Sequence, residues 1–400
     1  MQMMKGLRFA GVLALLMVLL LCGAMAEEAQ DITAECQVLP SMYGHIKEKM
    51  LDNGNMTMWE TEPYGGHIEV ITPAGKPAAG VYIKWGTDPL DTILQVPGEA
   101  EGEWVDVLSC NDGWQNQYIA FPEPLEHFRV KTQRRDVKMY VIKFQVLSEG
   151  TLPDWVQVWQ PFEGKADLMV LVAHPDDELL FMGGVIPYYN TVARKKVIVC
   201  YLVDMDGFRK VELLDGLWHC GVRHYPEMPG ETFKNYVNNT RKEMVRKWGE
   251  ERLLGHVSML LRKYRPDVIV THDVNGEYGH GAHKACCWAV QQCVTLAADE
   301  SKYLDSAAAY GTWQVKKAYI HLFEGTEGQI DFDWRQPMEA FGGKTIHQVT
   351  DEAFQLHRSQ AASGKYVVED FGRYDNSLFG LYFTMVGPDT GRNDLFENLH

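Results

Sequence analysis

The stretch LMVLVAHPDDE, residues 168–178, decides how the C-terminal part of this chain should fold. Leu168 to Ala173 is an unbroken apolar run of strand length, which is typical of a strand buried on both faces of a sheet. His174 follows at once with Asp176 and Asp177, so an imidazole and two carboxylates stand where the strand leaves the sheet. Such a cluster can bind a metal ion and transfer a proton.

Strand-like runs alternate with helix-like stretches after this point. The runs are Lys196 to Val203, Val268 to His272 and Lys316 to Leu322. This alternation predicts an α/β domain with a Rossmann-like, mainly parallel sheet and helices on both faces. Ligands of such sheets bind at the carboxyl ends of the strands, so we expect the chemistry at that edge.

The residues before this domain follow a different pattern. From about residue 31 to residue 150 the chain consists of short β-rich runs bounded by Gly, Pro, Asp or Asn, which predicts an all-β sandwich domain. Residues 151–165 carry Pro153 and Pro161 and are predicted to be a linker. The α/β domain is then expected to run from residue 166 to residue 400.

The first 26 residues are typical of a secretory signal peptide. Lys5 and Arg8 precede an apolar stretch from Phe9 to Leu21, and a small-x-small site at residues 24–26 predicts cleavage after Ala26. An uncleaved membrane anchor is the alternative, but the apolar stretch is shorter than the ~20 residues that a spanning helix needs. No later segment is apolar enough to span a bilayer. We therefore expect a secreted or cell-surface-associated protein with no transmembrane span in its mature form.

Charge and cysteine content narrow the classes of function. The 54 acidic residues outnumber the 38 basic ones, for a formal charge of −16, so nucleic-acid binding is disfavoured. Of the eight cysteines, Cys22 lies in the signal peptide, and the other seven form no C-x-x-C pair that would indicate a cysteine zinc site. Cys36 with Cys110 is the disulfide to test, because both lie in the N-terminal region of an exported chain.

A second polar segment follows a later strand. It comprises residues 271–273 and residues 276–283, and it ends in two histidines, His280 and His283. If this segment opens a helix, the two histidines share one face, since they are three residues apart. Two histidines and one carboxylate from the two loops would make a three-ligand metal site with positions open for water. Helix capping explains the first motif alone better, and chance explains the second alone better, but both at one sheet edge predict a metal site.

These motifs resemble the PIG-L/LmbE family of zinc-dependent N-acetyl-sugar deacetylases. The likeness rests on AHPDDE at 173–178 with Gly183 and Gly184, and on NGEYGHGAH at 275–283, and it runs from about Ala166 to at least Lys284. The resemblance implies one zinc ion per chain. It also implies that His174, Asp177 and His283 bind the zinc ion and that Asp176 acts as the base.

The residue types suit amide hydrolysis independently of the resemblance. A zinc ion with three protein ligands lowers the pKa of its bound water to about 7 and polarises an amide carbonyl, while a nearby carboxylate takes and returns the proton. The family likeness implies that Tyr278 and His280 stabilise the oxyanion. It also implies that Arg209 holds the sugar, with a structural salt bridge to Glu212 as the alternative.

The second motif departs from the family's usual H-P-D-H, because Gly281 and Ala282 stand between its histidines. The spacing of the histidines is kept, but the intervening Asp is absent. This absence puts in question whether a carboxylate supports the metal ligands here. A further segment, residues 357–360, resembles another recurring family segment and has no assigned role.

The first third of the mature chain loosely resembles discoidin-like, galactose-binding-like sandwiches at residues 52–59. The resemblance implies a polysaccharide or cell-surface ligand, and Trp59 or Trp104 could stack on a sugar. A structural sandwich with core tryptophans is the alternative.

We therefore expect an exported hydrolase that removes the acetyl group from an N-acetylated amino sugar or glycan. Two other classes stay open. His174-x-Asp176 with a distant histidine matches the facial triad of non-haem iron oxygenases, although those triads usually lie in jelly-roll barrels. A secreted carbohydrate-binding protein with an inactive enzyme domain is disfavoured, because every expected ligand and the base are present.

Overall fold

A computed structural model describes residues 27–400 except 53, 64–65, 90, 133–137, 206, 229–232, 326–328, 332, 370, 392 and 400. The predicted signal peptide, residues 1–26, lies outside the described residues. Within the described ranges, no helix is both long and apolar enough to cross a membrane.

The N-terminal region is a β-sandwich of two antiparallel sheets. In one sheet the strand order is β1-β3-β8-β5-β6, and in the other it is β2-β9-β4-β7. Side chains alternate between core and surface, as in β3, so one face of each strand supplies the core. The strands are β1 (Gln37–Pro40), β2 (Trp59–Glu60), β3 (His67–Ile71), β4 (Ala78–Trp85), β5 (Thr92–Pro97), β6 (Trp104–Cys110), β7 (Asn116–Leu125), β8 (His127–Thr132) and β9 (Tyr140–Ser148).

The C-terminal region is built on a six-stranded sheet, counted over the described residues, with the order β11-β10-β12-β13-β15-β14. The first four strands in this order are parallel, and the last two are antiparallel to their neighbours. The sheet is therefore mixed, and the Rossmann-like description is not confirmed. Its strands are β10 (Leu168–Val172), β11 (Val197–Tyr201), β12 (Val268–Thr271), β13 (Lys317–His321), β14 (Gln329–Asp331) and β15 (Leu378–Thr384).

Helices cover both faces of this sheet. Alternate residues of β10 enter two separate apolar clusters, with Val170 in one and Leu171 in the other. Leu213 and Val349 pack in the first cluster, and Val257 packs in the second. The α-helices are α1 (Glu48–Leu51), α2 (Asp177–Leu180), α3 (Val185–Pro187), α4 (Gly207–His219), α5 (Arg241–Trp248), α6 (Glu250–Tyr264), α7 (Gly281–Leu296), α8 (Leu304–Tyr310), α9 (Ile346–Gln355) and α10 (Arg358–Ala361).

A buried ion pair joins the sandwich to the α/β region. Lys84 of β4 lies 2.7 Å from both carboxylate oxygens of Asp215 in α4. Amide groups of Asn55, Asn116 and Gln157 donate to the same carboxylate at 3.1, 3.1 and 2.7 Å. Both charged residues are almost fully buried, so the carboxylate is neutralised and hydrogen-bonded rather than solvated.

The structure corrects one expectation for the sandwich. Trp59 is fully buried and donates its indole N–H to the carbonyl of Met42 at 2.9 Å, so it cannot stack on a sugar. Trp104 is only partly buried, and the Arg129 guanidinium lies 4.2 Å from its ring centroid. Trp59 thus belongs to the core, which was the alternative, while a sugar contact of Trp104 stays a prediction.

The seven cysteines within the described residues are free thiols, and the pairing considered for Cys36 and Cys110 is not formed. Both residues are partly buried on the sandwich. The other five lie fully buried in the α/β region, where burial raises the pKa of each thiol, to about 12 for Cys293. The five are Cys200, Cys220, Cys286, Cys287 and Cys293.

Candidate active site

The end of β10 turns sharply so that its polar residues face one another. The backbone N–H of His174 donates to Asp177 Oδ2 at 2.7 Å, and His174 Nδ1 lies 3.1 Å from the same oxygen. Asp176 adopts a φ of +113°, a conformation that costs a non-glycine residue about 1–3 kcal/mol. Its backbone N–H donates to Glu178 Oε2 at 2.8 Å, which helps to hold the turn.

The second motif begins helix α7. A short 3₁₀ turn, Glu277–Gly279, leads into His280, which is the N-cap residue of α7. The Nδ1 atom of His280 accepts from the backbone N–H of Ala282 at 3.3 Å. His283 follows in the first turn, and its Nε2 atom lies 3.2 Å from Asp177 Oδ1. The two loops thus meet, as the carboxyl ends of the adjacent parallel strands β10 and β12 predict.

The donor atoms suit a divalent cation of the zinc type. His174, Asp177 and His283 are almost fully buried, and the Nε2 atom of His174 has no hydrogen-bond partner among the described residues. Two neutral imidazoles and one carboxylate are ligands that zinc takes in catalytic sites. The structure therefore brings together the three residues that the family resemblance implied as ligands.

Two further histidines lie at the same place. Ligand atoms of His174, His280 and His283 lie within 4.8 Å of one another, as do those of Asp177, His272 and His283. The Nε2 atom of His272, however, accepts the backbone N–H of Ala173 at 2.9 Å. That hydrogen bond occupies the lone pair with which His272 would bind a metal ion.

Glu277 is a functional candidate that the sequence pattern missed. Its Oε2 atom lies 2.7 Å from Nδ1 of His272 and 2.9 Å from Nδ1 of His283. Its Oε1 atom lies 2.7 Å from Nδ1 of His321 in β13. All four side chains are buried. A carboxylate that holds the remote nitrogen of a metal-binding histidine fixes its tautomer and orientation, so Glu277 fits that supporting role.

Burial and neighbouring charges shift the pKa values of the two aspartates in opposite directions. Burial raises the pKa of Asp176, although the Arg209 guanidinium 3.0 Å away opposes this rise. Burial acts in the same sense on Asp177, but His283 and His174 outweigh it and hold the pKa of Asp177 well below its usual range. Asp177 is therefore the carboxylate suited to bind a cation, and Asp176 is the one suited to exchange a proton.

His280 and Tyr278 are placed as neutral donors. Burial, with His174 and His283 nearby, lowers the pKa of His280 to about 4, and because its Nδ1 accepts a hydrogen bond, its proton is on Nε2. Burial, with Glu369 nearby, raises the pKa of the Tyr278 hydroxyl, which stays protonated. Tyr278 is 44% exposed, and its ring packs against Tyr374 at a centroid distance of 4.5 Å.

Arg209 reaches the first motif rather than open solvent. Besides its 3.0 Å contact with Asp176, it donates to the carbonyl of Pro175. Glu212, one turn along α4, accepts from the backbone N–H of Ser359 at 2.8 Å and from its hydroxyl at 2.5 Å. The segment at 357–360, which had no assigned role, also brings Nε2 of His357 within 3.3 Å of Glu178 Oε1.

The site opens into a cavity of about 310 Å³. All the predicted site residues line this cavity, which we name the catalytic pocket. Residues of both motifs and Arg209 therefore face the same space. Its other lining residues are Leu180, Phe181, Met205, Asn235, Gln360, Lys365 and Tyr366. A cavity of this size holds a sugar-sized ligand in contact with the reactive side chains.

Two histidines and an aspartate, with a second aspartate beside them, define a candidate metal-dependent hydrolase. Residues 169–294 match the family model PIG-L, described as GlcNAc-PI de-N-acetylase. The chain therefore carries a PIG-L domain at residues 169–294.

Curated relatives are similar to part of this chain. The chain is similar to 1D-myo-inositol 2-acetamido-2-deoxy-alpha-D-glucopyranoside deacetylase of Salinispora arenicola, at 22% identity over 58% of this chain and 91% of that protein. It is similar to the enzyme of the same name from Mycolicibacterium smegmatis at 32% identity, over 29% of this chain and 49% of that protein. An uncharacterized protein of Acanthamoeba polyphaga mimivirus is 29% identical over 30% of this chain and 54% of that protein. The chain thus spans about half the length of two of these three relatives.

Solved structures resemble each region separately. The chain is similar to N,N'-diacetylchitobiose deacetylase from Pyrococcus horikoshii, with a TM-score of 0.38 and 17% identity over 49% of this chain and 71% of that one. It is similar to an F5/8 type C domain from Bacteroides fragilis, with a TM-score of 0.25 and 18% identity over 32% of this chain and 99% of that one. At these TM-scores the likenesses carry no further inference.

Proposed function

We propose that this protein is an exported, zinc-dependent deacetylase that hydrolyses the N-acetyl group of an amino sugar or glycan. The proposal is carried by one observation: the buried carboxylate of Asp176 adjoins the donor set of His174, Asp177 and His283 on the wall of a sugar-sized pocket. We further propose residues 166–400 as the catalytic domain, residues 31–150 as a sandwich that holds a glycan or the cell surface, and residues 151–165 as the linker.

His174, Asp177 and His283 would hold one zinc ion, and Glu277 would keep His283 in the tautomer that presents Nε2. When bound, the ion supplies a Lewis acid that polarises the amide carbonyl and makes water more acidic. The buried, unpartnered Nε2 atom of His174 and the low pKa of Asp177 support this assignment.

Asp176 acts as the general base in this proposal. Its carboxylate accepts a proton from the attacking water and returns it to the departing amine, which suits a carboxyl group whose pKa burial has raised. Arg209 holds one oxygen of this carboxylate at 3.0 Å and limits the rise of its pKa. Arg209 thus acts through Asp176 as well as through any contact with the sugar.

His280 and Tyr278 would donate hydrogen bonds to the oxygen that becomes negative as the amide carbon turns tetrahedral. The neutral state of His280, with its proton on Nε2, supports this role, as does the protonated hydroxyl of Tyr278. Both side chains line the catalytic pocket with Asp176.

The substrate class is taken from the relatives, whose names specify a 2-acetamido sugar. Export is proposed from residues 1–26, with their basic start, apolar stretch and small-x-small site. The iron-oxygenase alternative is weaker, because a His174-x-Asp176 triad would need Asp176 as a ligand, and that carboxylate is paired with Arg209 instead.

The proposal is tested by acetate release from N-acetylhexosamines, peptidoglycan fragments and mucin-type glycans, together with metal analysis of the purified protein. We expect about one zinc per chain and acetate from at least one substrate. Asp176→Asn should abolish most of this release and retain the metal, while Asp305→Asn, on an exposed helix, should change neither. Stoichiometric iron without zinc, or full activity of Asp176→Asn, would contradict the proposal.

A further inference from the structure

A second cavity lies between the sandwich and the α/β region, and we name it the interdomain cleft. It has a volume of about 650 Å³, roughly twice that of the catalytic pocket, and shares no lining residue with it. Strands β4 and β9 and residues 154–157 line one side, while the end of α4 and residues 340–341 and 356–358 line the other. A cavity of this size accommodates a ligand larger than a single sugar.

The charged groups on the inner wall of the interdomain cleft are paired with each other. Lys84 and Asp215 line it as a buried pair, and amides of Asn55 and Gln157 complete the hydrogen bonds of the Asp215 carboxylate. These four residues therefore offer little net charge to a ligand, and the charge of the cleft is set by its other lining residues.

Most of the charged residues among the other lining residues are cationic. Lys143 is partly buried, and Arg223 and Arg358 are exposed. In the described part of the chain, no ion pair joins any of the three to a carboxylate, and Asp154 is the acidic lining residue besides Asp215. Burial and the nearby ammonium of Lys84 lower the pKa of Lys143, and the surrounding aspartates oppose this shift only in part.

The interdomain cleft also presents aromatic surface. Trp155 is 43% exposed, and its ring meets the fully buried ring of Tyr82 edge-on at a centroid distance of 5.9 Å. The exposed part of this indole offers an apolar surface on which the ring of a ligand can stack.

We propose that the interdomain cleft binds an acidic saccharide, whose carboxylate or sulfate group contacts Lys143, Arg223 and Arg358 and whose ring stacks on Trp155. The cations suit an anion with several oxygens, and an exposed indole suits the apolar face of a sugar ring. The choice of a saccharide over other anions rests on the proposed function.

Helix α4 links this cleft to the catalytic pocket. Arg209 near its start lines the pocket, and His219 at its end lines the cleft. Ten residues of α-helix span roughly 15 Å, so a glycan of several sugars is long enough to reach both cavities. The segment at 357–360 repeats this link, since Arg358 lines the cleft and Gln360 lines the pocket.

The proposal is tested by calorimetric titration of the full mature chain with trigalacturonate, which carries carboxylates, and with a heparin-derived disaccharide, which carries sulfates. Maltotriose is the neutral comparison, and ADP is the non-saccharide anion. We expect at least one acidic saccharide to bind more tightly than maltotriose and ADP. Trp155→Ala and Lys143→Gln should each weaken this binding about tenfold, equivalent to about 1.4 kcal/mol.

Lys131→Gln, on the sandwich outside the cleft, is the matched control and should leave binding unchanged. Acetate release from an N-acetylhexosamine should be unaffected by the cleft variants. Failure of both acidic probes to bind, equal binding of maltotriose, tighter binding of ADP, or binding that the cleft variants leave intact would overturn the proposal. Loss of deacetylase activity against every substrate, with cleft binding retained, would refute the proposed function alone.

Discussion

Glu277 holds the Nδ1 atom of His283 at 2.9 Å while Asp177 holds the opposite ring nitrogen at 3.2 Å. The carboxylate that the second motif lacks between its histidines is thus supplied from three residues before His280. Because the same carboxylate also contacts His272 and His321, it connects the ends of β12 and β13 to helix α7. If a zinc ion binds as proposed, a change at Glu277 should therefore alter the affinity for that ion.

Glu277→Gln should weaken zinc binding by about 10–100-fold, the usual cost of losing a partner of a ligating histidine. Glutamine keeps the size of the side chain but presents one acceptor oxygen to three imidazoles. Competition with a zinc chelator measures the affinity. Glu243→Gln, an exposed carboxylate on α5, is the control, and equal affinities in the two variants would contradict the supporting role.

Arg209→Gln should move the acidic limb of the pH–activity profile to higher pH by about one pKa unit or more. The guanidinium lowers the pKa of Asp176, so its removal leaves the base protonated up to a higher pH. Measurement of kcat/KM between pH 5 and pH 9 reveals the shift. An unmoved limb with a raised KM would mean that Arg209 acts on the sugar alone.

Tyr278→Phe and His280→Gln should each lower kcat by about 10²–10³-fold, the cost of one oxyanion donor. The zinc content should stay the same, because neither residue is among the proposed ligands. Steady-state kinetics with parallel metal analysis separates the two effects. If His280→Gln loses the metal, His280 belongs to the ligand set with His174 and His283 instead.

Acidification below about pH 6.5 should destabilise the protein through His256 of α6. Burial lowers the pKa of this histidine, and its Nε2 atom has no hydrogen-bond partner within the described ranges. The unfolded chain therefore binds a proton at this histidine more readily than the folded protein does. The contribution of neutral His256 to the free energy of unfolding is fully present above the ordinary pKa of 6.5 and is lost as the pH falls below it. Urea unfolding of His256→Gln should show a smaller loss between pH 7 and pH 5, whereas exposed His45→Gln should match the parent protein.

Asp215→Asn should destabilise the chain by about 3–5 kcal/mol, because Lys84 would be left buried without its counter-charge. Replacing both members as Lys84→Met with Asp215→Asn should recover part of this loss, since no unpaired charge then remains. Chemical unfolding monitored by tryptophan fluorescence compares the two variants. A double variant less stable than Asp215→Asn would contradict the assignment of the cost to an unpaired charge.

Local patterns were sufficient to place the first motif and His283. An apolar run followed by HPDD defines where the strand ends, and the spacing of His280 and His283 follows from helix geometry. The direction of β14 and β15 was beyond such patterns, because the pairing of a strand depends on distant parts of the chain. Local patterns could not predict the role of Glu277 either, because its contact with His321 comes from another strand. Nor could they predict the ion pair of Asp215, whose partner Lys84 lies 131 residues away.

The five buried thiols of the α/β region constrain how the chain can fold if it is exported as proposed. Inside the folded protein the five cysteines stay protonated and inaccessible, so they neither pair nor react. In an unfolded chain they would regain ordinary reactivity, and an oxidising compartment would then join them at random. If the chain is exported as proposed, it must therefore fold faster than its thiols are oxidised, and heat denaturation under oxidising conditions should become irreversible once the thiols are exposed.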